Sequence, residues 1–345
     1  MDDPEFLPFY DRLTRRLPGG LIGGVLVSAL LGLAFLGAHY ASIRDGVFRD
    51  WSWFLAALIS TAMLCLYYAT HTLRTMLPEM ELRLRPERSA VYMVPLHRIL
   101  SDRHFVLAGL FFGVLNCAFG YGFGLPYSQG SAVVTILVGY LLAGFVGGMA
   151  VFGIYGVCAS ISAFSRRAKP SFDFTSPDRC GGTLFLGEGL VVFSSVTLIV
   201  GVMISVYILK TDWARDGLWW VMALKGFWLV FPYLMSLVVL IAPAVPLNRA
   251  LREYKMEQEG VLQEHLTTLR RRLEEERLEV GARKDVREDY EFQQRVRNDL
   301  HQMRTWPYGL GANLTYLTVF VDNAFASVNS ASSWISKYVT RGPGQ

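Results

Sequence analysis

The sequence predicts an all-α, polytopic membrane protein with six transmembrane helices and a cytoplasmic C-terminal helical hairpin. The first observation is composition. Of 345 residues, 52% are hydrophobic and 18% are charged, and the mean hydropathy is +0.32, which is well to the apolar side of a soluble domain. The second is a set of six apolar segments, each long enough for the roughly 20 residues that cross a bilayer as a helix. The third is a charged region of helical pattern after the last segment.

The six apolar segments lie at about 20–42, 53–73, 105–125, 132–163, 184–209 and 219–247. Basic residues are concentrated in the N-terminal tail and in the second and fourth connections, whereas the third connection has none. The second connection alone carries Arg74, Arg83, Arg85, Arg88, Arg98 and Arg103. By the positive-inside rule, both termini are expected in the cytoplasm and the protein in the plasma membrane.

Four regions follow from this pattern: a cytoplasmic N-terminal segment (1–19), the six-helix transmembrane domain (20–247), a cytoplasmic charged helical domain (248–305) and an amphipathic C-terminal helix with its tail (306–345). In the third region, leucines recur in steps of four, three and four, which predicts a short coiled-coil-like seam. They are Leu262, Leu266, Leu269 and Leu273. The region could form one continuous helix or two helices that fold back at Gly281 into a hairpin, and we favour the hairpin. The last region fits a helix that lies on the membrane or packs against neighbouring subunits.

The stretch Ala118–Pro126 reads AFGYGFGLP and shares the letters GYG with the selectivity filter of potassium channels. A filter requires a short pore helix that re-enters from the outer side, and its carbonyl groups must replace the hydration shell of the ion. The expected topology puts the start of this segment in the cytoplasm instead, because the connection before it is rich in arginine. The sequence therefore favours a glycine-rich helix end over a filter.

Small residues four apart recur in three of the apolar segments. The first has Gly20, Gly24, Ser28 and Gly32, the third has Gly109 and Gly113, and the fourth has Gly144 and Gly148. Residues at this spacing share one helix face and allow two backbones to approach closely, which is how helices associate in lipid. We expect tight bundling, with partners within the chain favoured over partners in another chain.

Three polar residues within apolar segments are candidate pore or intramembrane functional groups: Asn116, Glu188 and Lys225. Such groups are costly in a bilayer and are often functional. Glu188 could face a water-filled vestibule and attract cations or accept protons, or it could pair with a cytoplasmic arginine. Lys225 could act in the membrane or extend its long side chain to the outer interface.

The run PDRCGG supplies a candidate ligand motif at the cytoplasmic entry to the fifth segment: Asp178, Arg179, Gly181 and Gly182. The amides at such a helix start favour an anion or a carboxylate, and a purely structural loop is the other interpretation. The run resembles a Pro-Asp-x-x-Gly-Gly element of uncharacterised bacterial multi-pass membrane proteins. That resemblance implies a bacterial inner membrane and carries no activity.

No catalytic residue, metal site or cofactor is predicted, because the sequence lacks nucleotide-binding, metalloprotease, zinc and nucleophile-elbow motifs. It also lacks a nucleic-acid motif. Three hypotheses follow. The first is a homo-oligomeric ion channel with a cytoplasmic helical assembly or gating domain, favoured by the seam and the intramembrane polar groups. The second is a membrane sensor or signalling scaffold that binds a cytoplasmic protein. The third is an enzyme whose site near Asp178 would include Asp173, His97 and His104.

Overall fold

A computed structural model describes residues 21–43, 51–84, 101–125, 130–168, 170–211, 213, 215, 218–274 and 280–308. Within these residues every regular element is a helix. The helices are α1 (Leu21–Ile43), α2 (Ser52–Leu82), α3 (Asp102–Phe123), α4 (Ser131–Ala163, continued by a π-helical turn over Phe164–Ala168), α5 (Leu184–Lys210), α6 (Trp219–Ile241), α7 (Ala244–Glu274) and α8 (Val280–Gln302). The predictions for residues 1–19, for His97 and for residues 309–345 lie outside the described residues.

The helices α1 to α6 are long and apolar enough to cross a membrane, which confirms the six predicted spans and a multi-pass membrane protein. Two boundaries differ from the prediction. The helix α2 continues to Leu82 because its last turns bury Met76 and Met80 in the protein core. The helix α6 ends at Ile241, since Pro243 has no amide hydrogen to continue it, and α7 begins at Ala244.

The spans are arranged around α2, which packs against α1, α4 and α5. The helix α3 packs against α4 and α5 packs against α6, and α1 also packs against α4. We call the end of the bundle that carries Asp178 and α7 the near end, and the opposite end the far end. No extensive backbone packing joins α3 to α6 among the described residues. The helix α2 therefore joins the two pairs, through α4 of one and α5 of the other.

The predicted glycine faces form close contacts between helices of the bundle. A Cβ atom on Gly144 would lie 2.6 Å from the Phe112 carbonyl oxygen, and one on Gly113 would lie 3.0 Å from the Leu141 carbonyl oxygen. Likewise, α1 presents Gly24 and Gly32 to α2. These contacts show that glycines of the predicted faces have partners within the same chain, as expected.

The GYG stretch is helical. It forms the last turns of α3, which runs without interruption to Phe123. Gly120 packs against the ring of Tyr140, and the Tyr121 side chain is exposed. Helical carbonyl groups bond to amides of the same helix, so this backbone lacks the extended strand of a filter.

After α6, the helices α7 and α8 lie against each other in opposite directions. At one end, Lys255 Nζ donates to the carbonyl oxygens of His301 (2.9 Å) and Met303 (3.1 Å); at the other, Arg283 lies against the Leu273 carbonyl. Of the four seam leucines, three are buried, namely Leu262, Leu266 and Leu269. The prediction placed the change of direction at Gly281, but Gly281 lies in the first turn of α8, and residues 275–279 lie outside the described residues.

Candidate functional site

The PDRCGG motif forms the entry to α5. The Asp178 carboxylate accepts hydrogen bonds from three backbone amides, those of Cys180 (2.8 Å), Gly182 (3.0 Å) and Leu184 (3.2 Å). Burial alone would raise the pKa of the Asp178 carboxyl, but these bonds and one from the Ser176 side chain stabilise the charged form and hold the pKa below its ordinary value. The side chain caps the helix, and its carboxylate occupies the position that an anionic ligand would take.

The other three motif residues shape this loop. The backbones of Arg179, Gly181 and Gly182 have φ angles of +54°, +64° and +76°, in the left-handed region that favours glycine. A Cβ atom on Gly181 would lie 2.8 Å from Met303 Cε, and one on Gly182 would overlap the guanidinium group of Arg83. These contacts leave no space for a ligand beside the two glycines.

Sequence reasoning missed the segment that this loop holds in place, residues 303–308, which we call the strap. The Arg304 amide donates to the Arg179 carbonyl oxygen at 2.7 Å. The strap then crosses α5 so closely that a Cβ atom on Gly187 would overlap the Pro307 carbonyl group. Further hydrogen bonds hold the strap, among them bonds from Asn248 to Thr305, from Lys255 to Met303 and from Tyr308 to Leu240. The only sequence signal was Trp306-Pro307, which indicated a helix end.

The three intramembrane polar residues have different surroundings and different contacts. Glu188 is exposed on the outer surface of α5, one turn from its start. Lys225 is only 4% exposed, and its Nζ lies 5.9 Å from the centroid of the Trp213 ring. Asn116 is half-buried and donates through Nδ2 to the Tyr140 carbonyl oxygen at 2.8 Å. The structure therefore brings no common polar site together from these three residues.

Between the two helix pairs lies a cavity of about 210 Å³, which the sequence did not predict. Five spans line it, through residues such as Leu58 of α2, Phe119 of α3, Gly147 of α4, Val200 of α5 and Trp228 of α6. No aspartate, glutamate, lysine, arginine or histidine is among the described residues that line it. An apolar cavity of this kind excludes water and ions and accepts apolar groups.

The few polar groups in the cavity wall are mostly engaged within the protein. The Thr197 hydroxyl donates to the Phe193 carbonyl oxygen at 2.8 Å, and the hydroxyls of Tyr140 and Tyr207 bond to each other at 3.1 Å. Asn116 makes the bond to Tyr140 described above, which uses one of the two donors of its amide and leaves its acceptor oxygen. The wall thus offers one amide for hydrogen bonding to a cavity ligand.

Aromatic rings line the far end of the cavity. Phe119 and Trp228 make an edge contact at 6.0 Å across the gap between α3 and α6, and Trp213 packs against Phe123 at 4.9 Å and against Tyr140 at 6.3 Å. The Phe119–Trp228 contact thus bridges α3 and α6, between which the described residues show no extensive backbone packing. Side chains move more readily than packed backbones, so this contact is a point at which the wall of the cavity can open.

Gly147 of α4 faces open space in the cavity. A Cβ atom built on it would meet no atom within 4 Å, whereas Gly144, one turn earlier, is packed against α3. The sequence contains no signal that separates these two glycines, since both belong to the same glycine-rich run. Only the packing of α3 against α4 distinguishes them.

The residues of the enzyme hypothesis are engaged in local contacts. Asp173 accepts hydrogen bonds from the Thr175 amide (2.9 Å) and hydroxyl (2.6 Å), and the His104 ring stacks on Phe152. In the described part of the chain, no group of three or more His, Cys, Asp or Glu side chains could hold a metal ion. Comparison with known proteins adds no assignment, because no family model, curated protein or solved structure matches this chain.

Proposed function

We propose that this protein is a membrane sensor that holds an apolar ligand inside its helix bundle and transmits ligand occupancy to the α7–α8 pair, where a protein partner binds. The observation that carries the proposal is the cavity itself. A void of about 210 Å³ forfeits the dispersion contacts of every residue that lines it. In a bilayer, a lipid-derived ligand can restore those contacts.

Two helices connect the cavity to the α7–α8 pair. The helix α5 lines the cavity through Val196–Ile208, and its other end carries the Asp178 cap and lies under the strap. The helix α6 lines the cavity through Trp228 and Met235, and it leads through the break at Pro243 into α7. A ligand that changes the separation of the helix pairs would therefore move both attachments of the α7–α8 pair.

A cavity-filling variant tests the proposal. In Gly147→Phe the new ring occupies the cavity, and Gly37→Phe is the matched control, because Gly37 is exposed on α1 and a Cβ atom there also meets nothing within 4 Å. We expect lipid retained through detergent purification, measured by native mass spectrometry, to fall at least fivefold in Gly147→Phe and to stay unchanged in Gly37→Phe.

Hydrogen exchange tests the transmission step in the same two variants. We expect amide exchange in residues 296–308 to change in Gly147→Phe and not in Gly37→Phe. Equal lipid retention in both variants would refute the cavity ligand. Lost lipid with unchanged exchange would refute the coupling to the α7–α8 pair.

The proposed sensor lies in a bacterial inner membrane with both termini in the cytoplasm, and this orientation follows from the arginine-rich connections at the near end. Labelling of single-cysteine variants in intact cells tests it, with a membrane-impermeant maleimide. Gly130→Cys lies at the far end and Glu259→Cys on the α7–α8 pair. We expect labelling of the first alone, and the reverse pattern would invert the topology.

The homo-oligomeric ion channel is the second candidate, and the exposure of Glu188 favours it. A carboxylate on the lipid-facing surface of a span is costly unless another chain or water covers it. Because the cavity within one chain has no charged lining residue, the conduction path would run between subunits. We expect discrete currents in planar bilayers that change in Glu188→Gln; an oligomer with currents unaffected by that substitution would remove Glu188 from the path.

A further inference from the structure

We infer that the ligand of the cavity is a neutral lipid with one alkyl or isoprenoid chain and a terminal hydroxyl or carbonyl oxygen, which hydrogen-bonds to Asn116. This inference rests on the proposed function and names the ligand class of the same site. It follows from three properties of the cavity: its lack of charge, its single available amide and its position in the bundle.

The absence of charged lining residues sets the charge of the ligand. Burial of an ionised carboxylate or phosphate without a partner costs several kcal/mol or more, and no described residue that lines the cavity carries a compensating charge. Lys225 does not line the cavity and lies behind the Trp213 ring. A fatty acid anion or a phospholipid head group is therefore excluded from this cavity.

Asn116 sets the polar group. Its side-chain amide has two donor hydrogens and one acceptor oxygen, and its bond to the Tyr140 carbonyl oxygen uses one donor. A hydroxyl group could both donate to Oδ1 and accept from Nδ2, and a carbonyl group could accept from Nδ2. A purely hydrocarbon ligand would leave the second donor hydrogen and the acceptor oxygen of Asn116 without a partner in an apolar site, and unpaired polar groups in such a site are unfavourable.

The position of Asn116 sets the orientation of the ligand. It lies seven residues before the end of α3, about 10 Å from the far end at 1.5 Å per residue. The rings of Phe119 and Trp228 lie beyond it, and the cavity continues the other way to Cys65, Ile154 and Met235. The polar end of the ligand therefore lies beneath the aromatic rings, and the chain extends toward the bilayer centre.

Three brominated probes of equal chain length test the inference: bromododecane, bromododecanol and bromododecanoate. Bromine quenches tryptophan on contact, and Trp213 and Trp228 line the cavity. The cavity signal is the quenching that Gly147→Phe removes and Gly37→Phe preserves, measured in nanodiscs at equal membrane concentrations of probe. We expect bromododecanol to bind about three- to tenfold more tightly than bromododecane, as for one net hydrogen bond, and bromododecanoate to give no cavity signal at neutral pH.

The variant Asn116→Leu removes the hydrogen bond to the ligand and keeps a side chain of similar size, so it distinguishes the contribution of the hydrogen bond to affinity from that of the cavity shape. We expect this variant to bind bromododecanol and bromododecane equally, while its affinity for bromododecane stays within about twofold of the wild type. The inference is overturned if the alcohol retains its advantage in Asn116→Leu, if both probes bind the wild type equally, or if bromododecanoate enters the cavity. Absence of any cavity signal from all three probes would instead refute the proposed function.

Discussion

At the scale of single residues, the Asp178 carboxylate shows how one side chain can satisfy a helix end. Its bond to the Leu184 amide supplies a partner that the first amide of α5 lacks within the helix, and its bonds to the Cys180 and Gly182 amides hold the loop that precedes it. We expect Asp178→Ala to lose about 0.5–2 kcal/mol of stability, as for other helix caps, and Asp178→Asn to lose less because its amide oxygen still accepts. Thermal unfolding of the purified variants measures both, and an unchanged midpoint in Asp178→Ala would contradict the capping role.

The lowered pKa of Asp178 predicts that the stability of the folded protein depends on pH. Because the folded-state pKa of Asp178 lies below its ordinary value of 3.8, its stabilising contribution is complete above that value and is lost as the pH falls through the lower, folded pKa. We expect the stability difference between wild type and Asp178→Asn to be constant from pH 7 to about pH 5 and to shrink below about pH 4. A difference that changes between pH 5 and 7 would indicate another titrating group.

At the scale of helices, two glycines of α4 separated by one turn have opposite roles. Gly144 packs against the α3 backbone, whereas Gly147 faces the open cavity. We expect Gly144→Ala to lower the unfolding midpoint, because the new methyl group pushes α3 and α4 apart. We expect Gly147→Ala to raise it or leave it unchanged, because alanine is favoured over glycine in a helix by about 1 kcal/mol. Equal destabilisation of both variants would show that the cavity is absent in the folded protein.

At the scale of the whole molecule, the strap links elements far apart in sequence. It crosses α5 at Gly187 and bonds to the Arg179 carbonyl, so the end of the α7–α8 pair is held against the near end of the bundle. We expect Gly187→Ala to displace the strap and to increase trypsin cleavage after Arg304 severalfold. The matched control is Gly260→Ala, since a Cβ atom on Gly260 meets nothing within 4 Å. Equal cleavage in both variants would place the contact outside the folded protein.

The sequence by itself determined the helical class, the six membrane spans and the glycine faces that join them. It could do so because hydropathy and helical spacing are local properties, and a bilayer accepts few other structures. It also indicated that PDRCGG forms a helix entry, since Pro, Asp and Gly each have local backbone preferences.

Only the tertiary structure decided where the helices leave a cavity between them and where they pack in contact. The cavity lies between the α3–α4 and α5–α6 pairs and is also lined by α2, and no local sequence pattern records how two helix pairs pack against a third helix. For the same reason, the sequence could not distinguish Gly147 from Gly144, or predict that Glu188 is exposed and Asn116 borders the cavity. The strap was likewise unpredictable, because its contacts join residues more than a hundred positions apart, such as Arg179 and Arg304.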